Sequence, residues 1–484
     1  MQSILHLIDG MTSREKAYFR KSAQTHPTKR DKNYLKLYNL IVAHPKIEVA
    51  ELKTKLKDTK IINHFTAEMN YLFDQVMRSL LNYNLNKNNT SQLLKLIGYI
   101  EILLLKDNKQ RARKLLNFAK KLAYRSEDFA LIIKLIDLEE RILFKQGILN
   151  FIKKLEALGD ERQEATNKIQ NINQLRVLKE RVRDFQYSHI YLDYPLQYPD
   201  IFLNPLLLEK SNSLSLTALE NFYYTKVVIG YVTRKYDEAG IASEVYLNFL
   251  EENKYLFPKT KFLPALSNYL LMLANLSKKE KFFVILEKLE ALESDKTLPQ
   301  FYINYIKYGR QLDLAYKLRD DDYSEKIFSE ANEFLSRNSY LLAEAQRDYF
   351  FYFIIRACID LRKFEKAQEL MTLWYELGVQ EFLISVRRLC RMIIIFELGW
   401  DQMLGSEVQT SYKVLKKHKR YGRLEKVCIG CFRKISKRPF KQKEFLQQLE
   451  KQLLEIKGNK DENKLLEYID FHRWCVGKLE TMTS

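Results

Sequence analysis

Two cysteines three residues apart, Cys428 and Cys431, form the first pair whose types and spacing could do chemistry. A CxxC holds zinc when a second pair completes the tetrahedron, or cycles as a dithiol when a strand precedes its helix. The sequence supplies neither, so the two thiols are expected as small, buried helical side chains. The seven histidines are His6, His26, His44, His64, His189, His418 and His472. No two lie within five residues of one another, which rules out a metal pair on one helical turn. Asp320-Asp321-Asp322 lacks the alternating ligands and closing Glu of a calcium loop, and reads as the cap of a helix starting near Tyr323. No GxSxG, Walker or GxGxxG pattern occurs. Without a convergent acid, base or nucleophile, the expectation is a protein that is not an enzyme and takes no cofactor or metal.

The strongest chemical signal is basic. Thirteen Lys/Arg crowd the 31 residues from Lys413 to Lys443, opposed by Glu425 alone, and Arg387, Arg388 and Arg391 precede them. This run carries +12 of a net +19, in a chain of pI near 9.3. Such density costs stability through self-repulsion and attracts polyanions through counterion release. Lys413, Lys416, Lys417 and Arg420 fall at i, i+3, i+4, i+7; Arg433, Lys434, Lys437 and Lys441 repeat a helical stripe. With Arg438, these nine residues are the candidate polyanion-binding set. Tyr412, Tyr421 and Phe432 interleave with them, as stacking platforms for bases or as core positions.

The elements that must position these residues are helical. Only 14 Gly and 9 Pro punctuate 484 residues, too few for sandwiches, barrels or Gly-rich phosphate loops. Hydrophobic residues at 46% exclude general disorder. The fold class expected is therefore all-α. Five cysteines, odd in number and confined to the last third, build no disulfide framework and point to a reducing, cytoplasmic compartment. The first apolar run is broken by Asp9, unlike a signal peptide, and no run reaches the ~20 residues of a membrane span.

Along the chain, residues 1–88 form a small helical unit with helices near Asp31–Ala43, Val49–Leu56 and Asn63–Tyr83. Their order is that of a helix-turn-helix, with room for a small wing near 57–62; the rival reading is a bundle that caps a helical array. The polar stretch 82–91 separates it from residues 92–190, the first part of that array, ending in one long helix over Ala165–Ile190. Residues 191–215, with Pro195, Pro199 and Pro205, cross irregularly. Residues 216–484 continue the array and contain the basic segment 413–443.

Aromatic residues recur at the breaks of this array: Tyr236, Phe282, Tyr323 and Phe364 stand 46, 41 and 41 residues apart, each opening the second helix of a pair. A two-helix unit of about 40 residues predicts an α-solenoid, in which neighbours stack because no pair buries its own apolar face. Arg234-Lys235-Tyr236-Asp237-Glu238-Ala239 and Arg362-Lys363-Phe364-Glu365-Lys366-Ala367 carry an aromatic followed three residues later by Ala; Asp107 to Ala112 carries the Ala alone. On these residues the chain resembles tetratricopeptide-like repeat proteins, although the hinge glycine is missing and the period exceeds the family's 34 or so. The resemblance implies a non-enzymatic scaffold or adaptor that takes another protein or peptide in a groove. Tyr223, Tyr224, Tyr302, Tyr305 and Tyr308 are candidate anchors there, or core residues. The alternative is a nucleic-acid-binding regulator acting through the N-terminal unit or the 413–443 segment.

Overall fold

The structure, a computed structural model, describes residues 2–24, 31–45, 47–85, 88–144, 151–188, 198–295, 298–377, 383–459 and 463–482. Pro195, His26, His189 and the 190/191 boundary lie outside the described residues. The fold is all-α, 85% helical, with no strand among the described residues. Residues 57–61 are turns leading into a short 3-10 helix, Ile62–His64, so no wing forms at 57–62. The chain divides into two compact units, Met1–Ile169 and Gln170–Ser484.

The first unit opens with α1 (Gln2–Gly10), α2 (Ser13–Gln24), α3 (Asp31–Ala43), α4 (Val49–Lys55) and α5 (Phe65–Asn84). Thr12 starts α2 in a capping box: its hydroxyl accepts from Glu15 N at 3.2 Å, and Glu15 accepts from Thr12 N at 2.8 Å. Ile8, Phe19, Tyr38, Leu52, Leu72 and Val76 bury a common core. α6 (Asn89–Leu105), α7 (Lys109–Arg125) and α8 (Phe129–Phe144) come next as packed neighbours. The long helix α9 runs Phe151–Ser188, starting earlier than the expected Ala165. Within the first unit, Lys120 of α7 donates to Glu139 and Glu161, each at 2.7 Å, tying α8 and α9 to it.

In the second unit, α9 packs Leu175 and Leu178 against Leu207, Ala218 and Phe222. Helices then succeed one another: α10 (Leu216–Val232), α11 (Tyr236–Glu252), α12 (Phe262–Asn275), α13 (Lys279–Ala291), α14 (Gln300–Leu318), α15 (Asp321–Asn338), α16 (Glu344–Asp360) and α17 (Phe364–Tyr375). After these come α18 (Leu383–Glu397), α19 (Asp401–Lys417), α20 (Arg423–Lys437), α21 (Gln442–Gly458) and α22 (Phe471–Thr481). Sequence neighbours pack together, and α12, α14, α16 and α18 also touch one another in order.

The turns between paired helices share one backbone device. Asp107, Glu127, Arg234, Ser277, Arg319, Arg362 and Lys419 adopt left-handed φ of +50° to +61°, and Gly399 takes +68°. The N–H of each succeeding residue returns to a carbonyl five positions back, for example Lys235 N to Gly230 O at 2.8 Å and Lys363 N to Cys358 O at 2.8 Å. This is the Schellman closure, which satisfies a helix-end carbonyl and reverses the chain in few residues. Just beyond four of these turns stand Tyr236, Phe282, Tyr323 and Phe364; Phe282 is fully buried and the others are half-buried. Asp320 caps α15 by accepting from Tyr323 N at 2.9 Å. Ala112, Ala239 and Ala367 are completely buried where paired helices meet. At Gly230 a Cβ would come within 2.7 Å of the Ala239 Cβ, so α10 and α11 touch backbone to backbone there.

Candidate functional site

The second unit holds a cavity of about 290 Å³, lined mainly by α10, α12, α14 and α16. Its lining is dominated by tyrosines, with Tyr224, Tyr231, Tyr302, Tyr305, Tyr349 and Tyr352 among them. The helical period explains the set. Tyr302 and Tyr305 share one face of α14 and stack at 5.8 Å with 10° between ring planes. Three residues further on, Tyr308 turns away and packs on Phe334 at 5.6 Å. Tyr224 likewise lines the cavity, while Tyr223 packs on Phe249 at 5.2 Å. Among the five tyrosines singled out from the sequence, three face the cavity and two belong to packing.

A charged network lies beneath the aromatic rings. Arg356 of α16, 4% exposed, donates to Asp313 Oδ1 at 2.8 Å and to the Tyr352 hydroxyl at 2.6 Å. Arg310 of α14 donates to Asp313 Oδ2 at 2.6 Å and to Ser267 Oγ at 3.2 Å. One carboxylate thus serves two guanidiniums, an arrangement suited to the planar, multi-donor fork of arginine. The Arg356 guanidinium also stacks on Tyr316, 4.2 Å from its ring centroid. Burial pushes the Tyr231 hydroxyl up to about 12. Burial also holds Lys317 below the usual lysine range, and nearby Arg356 works in the same direction against the pull of Glu467.

The chain's own C-terminal stretch completes one wall. Glu467 accepts from the Tyr236 hydroxyl at 2.7 Å and lies 3.4 Å from Arg234 Nε. The Tyr468 carbonyl accepts from the Tyr352 hydroxyl at 2.9 Å, and Asp470 N donates to the Tyr316 hydroxyl at 2.7 Å. Sequence reasoning missed Arg310, Asp313, Lys317, Arg356, Glu467 and Tyr468. One signal was present: Arg356 interrupts the apolar run Phe350–Ile359, and a cation there needs a buried partner. The partner's identity, 43 residues away, had no sequence signal.

The nine candidate polyanion-binding residues do not share one surface. Lys413, Lys416, Lys417, Arg433, Lys434, Lys437, Arg438 and Lys441 are exposed, whereas Arg420 is buried, 7% exposed, just after the left-handed turn at Lys419. α19 and α20 bring Lys416 and Arg433 over the same Tyr412 ring, at 4.8 and 5.2 Å from its centroid. Tyr421 meets Tyr412 edge-on at 5.1 Å, with Lys426 above it at 6.0 Å. Lys434 turns instead to α21, donating to Gln448 at 3.3 Å, and Lys441 pairs with Glu444 at 3.3 Å. Glu425, the acid of the run, is fully buried and accepts from Ser385 Oγ at 2.7 Å. Phe432, Cys428 and Cys431 are core residues of α20. Burial pushes the Cys431 thiol up to about 12, the opposite of a reactive thiolate. No group of three or more His, Cys, Asp or Glu able to hold a metal ion occurs among the described residues. No helix among them is long and apolar enough to cross a membrane.

No protein-family model, no curated protein and no solved structure matches this chain.

Proposed function

We propose that this chain is a non-enzymatic interaction protein, a scaffold or adaptor that holds a segment of a partner protein in a groove formed by the first helices of a tetratricopeptide-like helical array. The observation that carries this reading is the tyrosine- and arginine-lined cavity to which α10, α12, α14 and α16 each contribute. Tyrosine and arginine are among the residues that anchor protein interfaces, tyrosine offering large area at small entropic cost and arginine a planar, multi-donor fork. The repeat reading is supported by the left-handed turns at Arg234, Ser277, Arg319 and Arg362, spaced by 43, 42 and 43 residues. A reducing, cytoplasmic setting suits five cysteines that remain free thiols.

The test places a photo-crosslinking amino acid at Asn268, in the cavity, and at Leu454, an exposed position on α21. After nuclease treatment, a discrete crosslinked partner is expected from Asn268 and not from Leu454. Equal crosslinking from both positions, or none from Asn268, would refute the groove.

A second reading, polyanion contact through the α19–α20 edge, is favoured by Lys416 and Arg433 converging on Tyr412 beside Tyr421. That cluster joins cations to aromatic faces, the combination that single-stranded nucleic acids use.

A further inference from the structure

We infer that the segment taken by the cavity carries an acidic side chain next to an aromatic one, a Glu-Tyr type of pair whose carboxylate is set among Arg310, Lys317 and Arg356. This rests on the groove reading above. Among the described residues, Arg310, Lys317 and Arg356 face two carboxylates of the lining, Asp313 and Glu467, while a fourth cation of the lining, Arg183, is paired with Glu180 at 2.7 Å. Both carboxylates are already engaged: Asp313 with two guanidiniums, Glu467 with Tyr236 and Arg234. The excess positive charge sits in a site walled by aromatic rings, where a missing counter-charge costs more than it does in water. Burial already depresses Lys317, and an incoming carboxylate would relieve that cost.

The aromatic half is argued from the walls. The stacked Tyr302 and Tyr305 pair offers flat apolar faces with hydroxyls at their rims. Glu467 and Tyr468 of this chain show how the same cavity handles such a pair. The carboxylate meets a Tyr hydroxyl and an Arg, and the Tyr468 ring packs at 5.9 Å from Tyr352 while its carbonyl accepts from that residue's hydroxyl. The volume, about 290 Å³, lies just below the ~300–1,000 Å³ range of small-ligand pockets. It suits one or two anchor side chains of a longer segment.

The experiment uses the full-length protein and a fluorescently labelled random copolymer of Glu and Tyr, monitored by anisotropy, with poly-Glu, a Lys-Tyr copolymer and ATP as comparison probes. The Glu-Tyr copolymer should bind about tenfold more tightly than poly-Glu, and the Lys-Tyr copolymer should not bind. Lys317→Met and Tyr305→Ala should each weaken the complex about tenfold. Should Tyr305→Ala fail to fold, as read by circular dichroism, Lys317→Met decides alone. Equal affinity for poly-Glu, tighter binding of ATP, or no binding at all would overturn the inference. So would loss of binding in Lys416→Glu/Arg433→Glu but not in Lys317→Met, which would place the acidic polymer on the α19–α20 edge. A partner crosslinked from Asn268 with no copolymer bound would sink this inference and leave the groove standing. Absence of any crosslink from Asn268 would remove the groove itself.

Discussion

At the scale of single residues, Asp360 is the carboxyl most at odds with its surroundings. It ends α16, and burial pushes its pKa up from 3.8 to about 6, despite Arg473 at 3.8 Å and the nearby Arg356; Asp321 and Asp470 add to the rise. A raised carboxyl binds a proton more tightly in the folded than in the unfolded chain. Its contribution is therefore fully present below pH 3.8 and lost as pH rises through about 6. The difference between the two values corresponds to a loss of about 3 kcal/mol between acid and neutral pH. Asp360→Asn should accordingly raise the urea midpoint at pH 7 and leave it nearly unchanged at pH 4. A lowered midpoint at pH 7 would mean that the Arg473 contact, not burial, dominates.

At the scale of the element, the turns explain how so few glycines serve so many reversals. Among the described residues, seven of the eight left-handed positions carry side chains, each at a cost of about 1–2 kcal/mol relative to glycine. Ser277→Gly and Lys419→Gly should each raise thermal stability by about 1 kcal/mol, while Gly399→Ala should lower it by a similar amount. Gly230→Ala should act in the opposite sense to helix propensity. Alanine gains about 0.5–1 kcal/mol in a helix interior. The added Cβ, however, lands 2.7 Å from the Ala239 Cβ and 3.0 Å from its backbone, atoms that no rotamer change can move. Overpacking of about 1–3 kcal/mol outweighs the propensity gain, so a lowered midpoint in calorimetry is expected.

At the scale of the whole molecule, the +19 charge is concentrated where α19 and α20 expose their basic residues. The run's acid, Glu425, is turned into the core, so it leaves the exposed cations uncompensated from within the run. If the edge binds polyanions, Lys416→Ala/Arg433→Ala should reduce the slope of log K against log salt for duplex DNA by about 0.9 per removed cation. Arg420→Ala, by contrast, should lower stability and leave that slope alone, because its side chain is buried. An unchanged slope in the double variant, with the fold intact, would reduce the edge to a solvated surface. The salt series thus separates an electrostatic surface from the aromatic cavity, whose proposed complex is tested by Lys317→Met and Tyr305→Ala.

Much of the architecture was legible from composition and local pattern alone. Scarce Gly and Pro and a sustained helical period excluded sheets, and secondary structure of this kind is set by neighbours within four residues. The hinge aromatics and their alanines were readable for the same reason, as was the Asp320 cap. Residue-level exposure was less accessible: Arg420 shared the phase of Lys413, Lys416 and Lys417, yet the helix ended before it and the left-handed turn at Lys419 carried it inward. The cavity was the least visible. Arg310 and Asp313 are one helical turn apart, but Arg356 is 43 residues beyond Asp313, and Glu467 and Tyr468 more than 100 residues further on. Local sequence determines which face each helix buries. Only packing decides which faces meet, and a buried arginine finds its carboxylate through contacts that no spacing along the chain encodes.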